Sequence, residues 1–552
     1  MPSEHADLIF TGGPAYLGGG RTTSGVAVTA GRISAVGPEP ARAMAGPGTE
    51  VIDLAGGLLL PGFTDAHIHA VSGGMELGQC DLTGFTDAAE YPRLIGEYAR
   101  AHPDQPWVRG GGWSMEAFPG GIPTRRALDA VVPDRPAYLV NRDHHGAWVN
   151  TRALELAGID RDTPDPADGR IERDADGEPV GMLQEGAAHL VSRLLPELTA
   201  ADRLAGLLRA QRLLHSLGIT AWQDALLGDF NGMSDASGAY LEAAERGSLT
   251  ARVTGALWWD RDRGAEQIDE LLERRSRLDL APLLRARTVK IMQDGVAENH
   301  TAAMLEPYLT PCGCAGGGAG GSAAGNAGLS FVDPSELAKY LTALDALDFQ
   351  VHFHALGDRA VREALDAVQA ARTANGDRDN RHHLAHLQVV HPDDIPRFAQ
   401  LGAVANIQPL WACHEPQMDV LTIPFLGQRR AGWQYPFGAL LASGARLAGG
   451  SDWPVSSPDP LHGIHTAVNR IAPDGAGPAF LPEQRIALAD ALDLYTAGSA
   501  YVTHAEDTGR IAEGNLADLA VLDRNPLELP PEQIADARVR LTFVGGRCVF
   551  QA

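Results

Sequence analysis

The sequence contains few cysteines, and they are irregularly spaced. A chain of 552 residues holds only five: Cys80, Cys312, Cys314, Cys413 and Cys548. An odd, scattered set of this kind excludes a disulfide framework and predicts a protein of the reducing cytoplasm. The Cys312-Gly-Cys314 pair is predicted to be incidental rather than a metal-binding clip.

Basic residues and long apolar runs are also scarce. The chain has 45 Lys and Arg against 70 Asp and Glu, a formal net charge of -25, which argues against a nucleic-acid partner and against an anionic membrane surface. No run of about eighteen apolar residues occurs, and no basic stretch followed by an apolar one opens the chain. We therefore expect a soluble, unexported protein that acts on a small molecule; whether it forms a homodimer is left open.

The two ends of the chain share one pattern. Short apolar runs joined by glycine-rich turns occur in "DLIFTGGPAYL" near the start and in "LADLAVLD" and "RLTFVGGRCVF" near the end, as in antiparallel strands. Because small pieces of sheet are marginal alone, we expect both ends to join in one sheet. The predicted domains are 1–60 with 505–552, and an inserted domain over 61–504.

The middle of the chain alternates predicted strands with predicted helices. Apolar runs that end in polar residues, such as "RARTVKIMQDG" and "FQVHFHALGD", are separated by segments with helical periodicity. At this length the alternation predicts an α/β fold with a parallel (β/α)8 TIM barrel, whose active site lies at the carboxyl ends of the strands. The glycine-rich stretch 313–328 predicts an inserted loop, either a mobile flap over the pocket or a passive insertion.

Two histidines end one of these apolar runs, in "FTDAHIHA". Side chains alternate along a strand, so His67 and His69 are expected on the same side, where two imidazoles can bind one cation. A lone histidine is more often a structural core residue, but further candidate ligands end other predicted strands: Lys290, His352, His354, His386 and Asp452. Together they predict a site for Zn²⁺ or Mn²⁺, with His352 as a supporting or core residue.

The ordered motifs resemble the amidohydrolase superfamily, in particular the branch that contains the N-substituted formamide deformylases. The resemblance runs through "LPGFTDAHIHA", "GGGWSMEAFPGGIPTRRALDAVVPDRPAYL", "RDHHGAWVNTRAL", "GMLQEGA", "VKIMQDG", "HFHALGDRAV", "HLAHLQ", "GGSDWPV" and "GNLADLAVLDRNPL". It implies a distorted (β/α)8 barrel, a β-sandwich built from both termini, and an insertion after the first barrel strand at about 73–195.

The resemblance also implies a metal-ligand set. It assigns one or two divalent ions, Zn²⁺ or alternatively Mn²⁺ or Fe²⁺, to His67, His69, Lys290, His354, His386 and Asp452. A lysine beside cations in a desolvated site can become a neutral amine and take up CO₂, and the resulting carbamate would bridge two metals. Alternatively, Lys290 stays a cation and pairs with a substrate carboxylate or with Asp294.

Two residues are assigned catalytic roles by the same resemblance. Asp452 would act as general base toward water whose pKa a metal has lowered; the alternative is a helix N-cap. His145, in "DHHGAWVN", would donate a hydrogen bond to the developing oxyanion. Its neighbour His144 stands where the family often has glycine, so which of the two imidazoles reaches the site is left open.

The sequence says least about the substrate. Trp113, Met115, Phe118 and Trp411 could line an apolar pocket, or could form a domain-interface core. No cluster of arginines favours a phosphorylated substrate, so we expect an uncharged or weakly charged N-acyl or N-formyl amide. Hydrolysis of a cyclic amide, a carbamate or a lactone, or deamination of a ring, are alternatives. A barrel that binds a ligand without catalysis is the alternative of another class, since a fold alone does not separate the two.

Overall fold

The computed structural model describes residues 5–85, 87–230, 235–279, 283–309, 325–475 and 477–552. Its strands, in chain order, are β1 (Leu8–Gly18), β2 (Arg21–Thr29), β3 (Arg32–Val36), β4 (Glu50–Asp53), β5 (Leu59–Pro61), β6 (Phe63–Ile68), β7 (Cys80–Asp81), β8 (Val108–Trp113), β9 (Ala137–Asn141), β10 (Gly146–Val149), β11 (Gly169–Arg173), β12 (Pro179–Glu185), β13 (Ile219–Leu227), β14 (Arg252–Trp258), β15 (Leu284–Met292), β16 (Gln350–Ala355), β17 (His383–His386), β18 (Val404–Ile407), β19 (Arg446–Gly449), β20 (Leu519–Leu522), β21 (Val539–Val544) and β22 (Arg547–Gln551).

The helices begin and end as follows: α1 (Pro38–Ala43), α2 (Ala70–Glu76), α3 (Glu90–Ala101), α4 (Arg125–Asp129), α5 (Thr151–Ala157), α6 (Gly186–Ser192), α7 (Ala200–Ser216), α8 (Ser237–Glu245), α9 (Ile268–Leu278), α10 (Pro334–Ala346), α11 (Asp358–Asn375), α12 (Ile395–Leu401), α13 (Ile423–Ala431), α14 (Phe437–Ala442), α15 (Pro460–Asn469), α16 (Leu488–Asp493) and α17 (Ser499–Val502). Among the helices that the structure describes, none is both long and apolar enough to cross a bilayer.

Eight parallel strands form the centre of the molecule. Their order is β6, β13, β14, β15, β16, β17, β18 and β19, which is also their order along the chain. Every residue of β13 and of β16 is buried, because helices cover the outside of such a sheet and side chains fill its interior. The predicted parallel barrel is confirmed in a nearly closed form.

The first and last barrel strands, β6 and β19, lie side by side at a seam. Among the described residues, no backbone strand pairing joins these two strands. One carboxylate oxygen of Asp65 joins the two sides, accepting hydrogen bonds from the backbone N–H groups of His67 and Ser451 at 3.0 Å each. The N–H of Asp452 then donates to the carbonyl of His67 at 2.7 Å. A Cβ at Gly450 would lie 2.6 Å from the Cβ of His67, so this approach requires glycine. The seam therefore holds residue 67 beside residue 452.

Strands from both ends of the chain share a second sheet. Its order is β22, β21, β20, β5, β1, β2 and β3, with β4 beside β1, and β20 pairs antiparallel with β5. The rings of Phe10 and Phe543 pack edge to face in its core, with centroids 5.3 Å apart. The joining of the two ends was expected from the pattern; the two layers of a sandwich and the domain bounds stay predictions.

A third sheet lies between β6 and β13 in the chain, within the stretch predicted to be an insertion. Its six strands run in the order β11, β12, β10, β9, β8 and β7. Side chains of this sheet and its loops reach the loops of the barrel: Thr301 donates to Glu185 at 2.7 Å, and Arg142 donates to Gln417 at 2.7 Å. The third sheet thus covers the end of the barrel at which the strands terminate.

Most of the glycine-rich stretch, 313–324, lies outside the described residues together with Cys312 and Cys314. The choice between a flap and a passive loop therefore stays a prediction. Its last residues, 325–328, lie against the loop that follows β15, where the N–H groups of Met304 and Tyr308 donate to the carbonyls of Ala327 and Asn326 at 2.8 and 2.7 Å.

A buried carboxylate on α10 connects three segments of the barrel. Asp345 accepts hydrogen bonds from Asn375 at 2.8 Å, Asn380 at 2.6 Å and His382 at 3.0 Å. The other ring nitrogen of His382 accepts from the N–H of Val351 at 3.0 Å, so the nitrogen facing Asp345 carries the proton. Burial by itself would raise the pKa of Asp345, but these hydrogen bonds lower it to about 2.

Replacing this carboxylate is expected to destabilise the barrel in a pH-dependent manner. A carboxyl whose folded pKa is depressed contributes stability above its unfolded pKa of about 3.9, and loses it as the pH falls toward 2. Asp345→Ala should lower the free energy of unfolding at pH 7 by roughly 1–3 kcal/mol. Urea denaturation of both proteins should show the difference shrinking between pH 5 and pH 3. A difference that does not depend on pH would contradict the assignment.

Candidate active site

A cluster of imidazole and carboxylate groups lies at the carboxyl ends of three barrel strands. His67 lies on β6 with His69 just beyond it, His386 ends β17, and Asp452 follows β19. The Nε2 atoms of His67 and His69 lie 3.2 and 3.1 Å from Oδ1 of Asp452, and Nδ1 of His386 lies 3.9 Å from its Oδ2. Ligand atoms of His67, His386 and Asp452 all fall within 4.8 Å of one another. The structure thus brings together residues that are far apart in the sequence.

The chemistry of the cluster fits a divalent cation. Both ring nitrogens of His386 and Nδ1 of His69 are buried without a hydrogen-bond partner among the described residues, an arrangement that is costly unless something else binds there. Burial holds the pKa of His386 well below its usual range, so the ring is neutral and its lone pair is available. Burial opposes ionisation of Asp452, but the neighbouring histidines hold its pKa well below the usual range.

The carboxylate of Asp294 holds His354, another candidate metal ligand, in position. His354 lies on β16 with its ring centroid 4.6 Å from that of His386, and its Nδ1 lies 3.3 Å from Oδ1 of Asp294. Asp294 is itself held by three backbone N–H groups, those of Ala303 at 3.0 Å, Leu356 at 3.1 Å and Gly357 at 2.8 Å. This leaves Nε2 of His354 available as a ligand atom. The sequence had suggested Asp294 only as a partner of Lys290, and the described residues show no ion pair between the two.

Removing this support is expected to weaken metal binding. Asp294→Asn should lower metal affinity by about 10- to 100-fold, since a histidine ligand loses the carboxylate that orients it. Competition with a chromogenic chelator measures the affinity directly. Asp358→Asn is the matched control, because Asp358 is also buried and accepts a backbone hydrogen bond, from Leu305 at 2.8 Å, without touching a candidate ligand. Equal affinities in the two variants would contradict the role of Asp294.

Lys290 lines the same small pocket, of about 60 Å³, as the candidate ligands. Burial lowers the pKa of its ammonium group to about 7, while Asp452 opposes the shift. The neutral amine that a carbamate requires is therefore accessible near neutral pH. Whether Lys290 becomes a carbamate stays a prediction.

His352, predicted to be a supporting residue, lies directly against a candidate ligand. Its Nε2 lies 2.9 Å from Nδ1 of His67. That contact occupies one nitrogen of the His67 ring and turns the other toward Asp452. The ring of His352 also packs on that of His383, with centroids 4.1 Å apart, which fixes its orientation in the barrel interior.

Glu185, at the end of β12, is a site residue that the sequence analysis missed. Its Oε2 lies 2.9 Å from Nδ1 of His145, and its backbone adopts a φ of 51°, which is uncommon outside glycine. Burial alone would lower the pKa of His145, but the Glu185 carboxylate raises it to about 9. The motif "GMLQEGA" contained this glutamate, but no spacing linked it to His145.

Both histidines of "DHHGAWVN" lie near the cluster. His145 lines a cavity of about 620 Å³ that opens beside His354, His386 and Asp452. His144 lines the smaller pocket but not the large cavity, and its Nε2 lies 3.6 Å from Oε2 of Glu76. His145 is therefore the imidazole that faces both spaces.

Only one of the four candidate substrate-binding residues lines the large cavity. Trp411 does so, with its ring stacked on that of His386 at a centroid distance of 5.3 Å. Trp113, Met115 and Phe118 pack in the hydrophobic core of the third sheet instead, with the indole N–H of Trp113 donating to the carbonyl of Leu139 at 2.9 Å. Their position matches the alternative of a domain core, because Trp113 and Met115 are fully buried within this cluster and Phe118 packs against it.

The alternative of Asp452 as a helix cap does not match the structure. Helix α15 begins at Pro460, and its N-cap is Asp459, whose carboxylate accepts from the N–H of Leu461 at 2.9 Å. Asp452 lies eight residues before the helix and faces the histidine cluster.

Comparison with known proteins adds to this geometry. Residues 50–550 match the amidohydrolase family model, Amidohydro_3. The chain belongs to the amidohydrolase family. It is 32% identical to the protein LONG AFTER FAR-RED 3 of Arabidopsis thaliana, over 99% of this chain and 92% of that one. It is 28% identical to an N-substituted formamide deformylase of Arthrobacter pascens, over 94% of each chain.

Comparison with solved structures agrees with this family assignment. A metal-dependent hydrolase from Pyrococcus furiosus superposes with a TM-score of 0.69 and 27% identity, over 94% of this chain and all of that one. The resemblance to the amidohydrolase superfamily is thus confirmed. Family membership, this likeness and the His67, His386 and Asp452 cluster together support a metal-dependent hydrolase.

Proposed function

We propose that this amidohydrolase cleaves the C–N bond of a small N-acyl or N-formyl amide with the help of a divalent metal. The observation that carries the proposal is the convergence of His67, His386 and Asp452 within 4.8 Å beside a cavity of about 620 Å³. A cavity of that size suits a small molecule. We place the enzyme in the cytoplasm, with its barrel over 61–504, an insertion at about 73–195 and a sandwich from 1–60 and 505–552.

The residues that would hold the metal are supplied by five strand ends. They are His67, His69, His354, His386 and Asp452, from four strands, and Lys290 on β15, which as a carbamate would hold a second ion. A set rich in imidazole suits Zn²⁺, with Mn²⁺ or Fe²⁺ as alternatives. When bound, such an ion lowers the pKa of water and polarises a carbonyl group.

The chain's own groups would then handle the protons and the developing charge. Asp452, ionised and buried, accepts the proton of the attacking water and returns it to the leaving nitrogen. His145, kept protonated by Glu185, donates a hydrogen bond to the oxygen on which negative charge develops. Glu185 acts through His145, by holding the ring and its charge in place.

Metal analysis followed by a substrate screen tests this proposal. The purified protein is loaded with Zn²⁺ and assayed against N-formyl and N-acetyl amines, with cyclic amides, carbamates, lactones and aminated rings in parallel and with chelator controls. We expect stoichiometric metal and chelator-sensitive release of an amine. Stoichiometric metal without turnover of any of these compounds would favour a ligand-binding barrel instead, and turnover only of a lactone or an aminated ring would move the reaction to that class.

A further inference from the structure

The large cavity beside the cluster is strongly acidic. Six acidic side chains line it in addition to Asp452, although burial raises the pKa of Glu76 to about 8. The cationic groups among the described lining residues are Arg142 and His145, whose pKa Glu185 raises to about 9. The six acidic residues are Glu76, Asp81, Asp143, Glu298, Glu415 and Asp474. A cavity lined by one sign of charge attracts ligands of the other sign. The cavity therefore does not resemble a site for an anionic or a wholly apolar molecule.

Arg142 does not neutralise the combined negative charge of the acidic residues that line the cavity. Arg142 lies 3.1 Å from a carboxylate oxygen of Glu415 and donates to Gln417 at 2.7 Å, so its charge is compensated locally. Glu298, on the loop after β15, accepts from the hydroxyl of Thr422 at 2.7 Å and from Gln388 at 3.3 Å. No cationic side chain of the described residues lies within ion-pairing distance of Glu298.

A second, independent feature points to a ligand with N–H donors. Gln388 lines the same cavity and is 1% exposed. Its amide nitrogen donates to Glu298, while its buried Oε1 accepts no hydrogen bond from the described residues. A buried acceptor without a donor is costly. Gln388 and Glu298 thus bring an acceptor without a described donor and a carboxylate without a described ion pair to the lining of one cavity.

From these observations we infer that the substrate carries a protonated amine, which Glu298 and Gln388 bind in the large cavity. An ammonium group offers three donors, enough for the carboxylate of Glu298 and Oε1 of Gln388. Hydrogen bonds between charged groups are about twice as strong as neutral ones. The inference rests on the proposed amide hydrolysis, and it replaces the expected uncharged substrate with a cationic one, such as an N-acylated diamine.

A pair of isosteric amides tests the inference. N-acetyl-1,4-diaminobutane ends in an ammonium group where N-pentylacetamide ends in a methyl group, and the two N-formyl analogues form a second pair. For the zinc-loaded protein at pH 7 we expect kcat/KM to favour the charged member by about tenfold or more. Calorimetric binding of the same pairs to the zinc-loaded protein gives a measure that does not need turnover.

A variant of Glu298 tests whether this residue carries the preference. Glu298→Gln should lower kcat/KM for the charged amide by about tenfold or more, and so abolish the preference, because the ammonium group loses its carboxylate partner. Glu306→Gln, on the same loop but paired with Arg429 at the surface, should keep the preference. Melting temperature and metal content establish that each variant is folded and loaded.

The outcomes separate this inference from the proposed reaction. Equal kcat/KM and equal affinity for the two members of each pair would overturn the amine inference while hydrolysis stands, and so would a preference that survives Glu298→Gln. Binding of neither member at millimolar concentration would also overturn it. If no amide is hydrolysed but the ammonium form still binds more tightly, the amine site stands and the hydrolase proposal fails.

Discussion

His69→Ala is expected to abolish metal binding and activity without unfolding the protein. The ring of His69 is 17% exposed and its Nδ1 has no described hydrogen-bond partner, so removing it breaks no structural hydrogen bond at that nitrogen. Combining it with His67→Ala should leave no measurable metal after dialysis, because both imidazoles of β6 are lost from the site. The double variant also leaves Nε2 of His352 without its partner, which costs roughly 1–3 kcal/mol.

Elemental analysis and thermal melting measure the two effects separately. Both variants should melt cooperatively, His69→Ala close to the metal-free wild type and the double variant somewhat below it, whereas the loaded wild type gains stability from the ion it binds. His102→Ala is the control: His102 is an exposed histidine at the end of α3, and its loss should change neither metal content nor activity. Full metal content in the double variant would remove these histidines from the site.

Asp452→Asn is expected to keep the fold and to lower kcat by roughly 10²–10⁴-fold, the range attributed to general acid–base catalysis. An asparagine keeps an oxygen near the Nε2 atoms of His67 and His69, which lie 3.2 and 3.1 Å from Oδ1 of Asp452, so metal should still bind. It has no carboxylate to accept the proton of the attacking water. The loss should therefore appear in kcat at saturating substrate, with metal content close to that of the wild type.

Asp459→Asn provides the comparison for this effect. It makes the same chemical change seven residues along the chain, at the N-cap of α15, where asparagine is an equally good cap. Its kcat should match the wild type. Wild-type kcat in a metal-loaded Asp452→Asn protein would exclude Asp452 as the base, and loss of metal from that variant would assign Asp452 a role in binding instead.

The features predictable from sequence were those with a repeating or local signal. Strand and helix periods differ, so their alternation predicted the barrel, and the spacing of His67 and His69 reflects the alternation of side chains on one strand. The bounds of the third sheet were less accessible, because its short strands lack a sustained period. Its strands lie between Cys80 and Glu185, inside the broader range that the resemblance implied.

The residues that sequence reasoning missed act through space. Glu185 reaches His145 from 40 positions away, and Asp294 reaches His354 from 60, and neither separation corresponds to any period of helix or strand. For Trp113 the sequence left both a pocket and a core open, because an aromatic side chain suits either environment. The packing of Trp113 in the core of the third sheet and its hydrogen bond to Leu139 become visible only in the folded chain.

Because the seam joins the first and last barrel strands, the complete site can form only late in the synthesis of the chain. Asp65 and Ser451 are 386 positions apart, yet their hydrogen bond joins the two segments that carry His67 and Asp452. A ribosome adds about 5–20 residues per second, so the first histidines wait on the order of 20–80 s before their carboxylate partner exists. A nascent chain that ends before β19 can fold part of the sheet, but it lacks Asp452. High-affinity metal uptake should therefore follow completion of the chain, and metal retention would report that the last strand has docked.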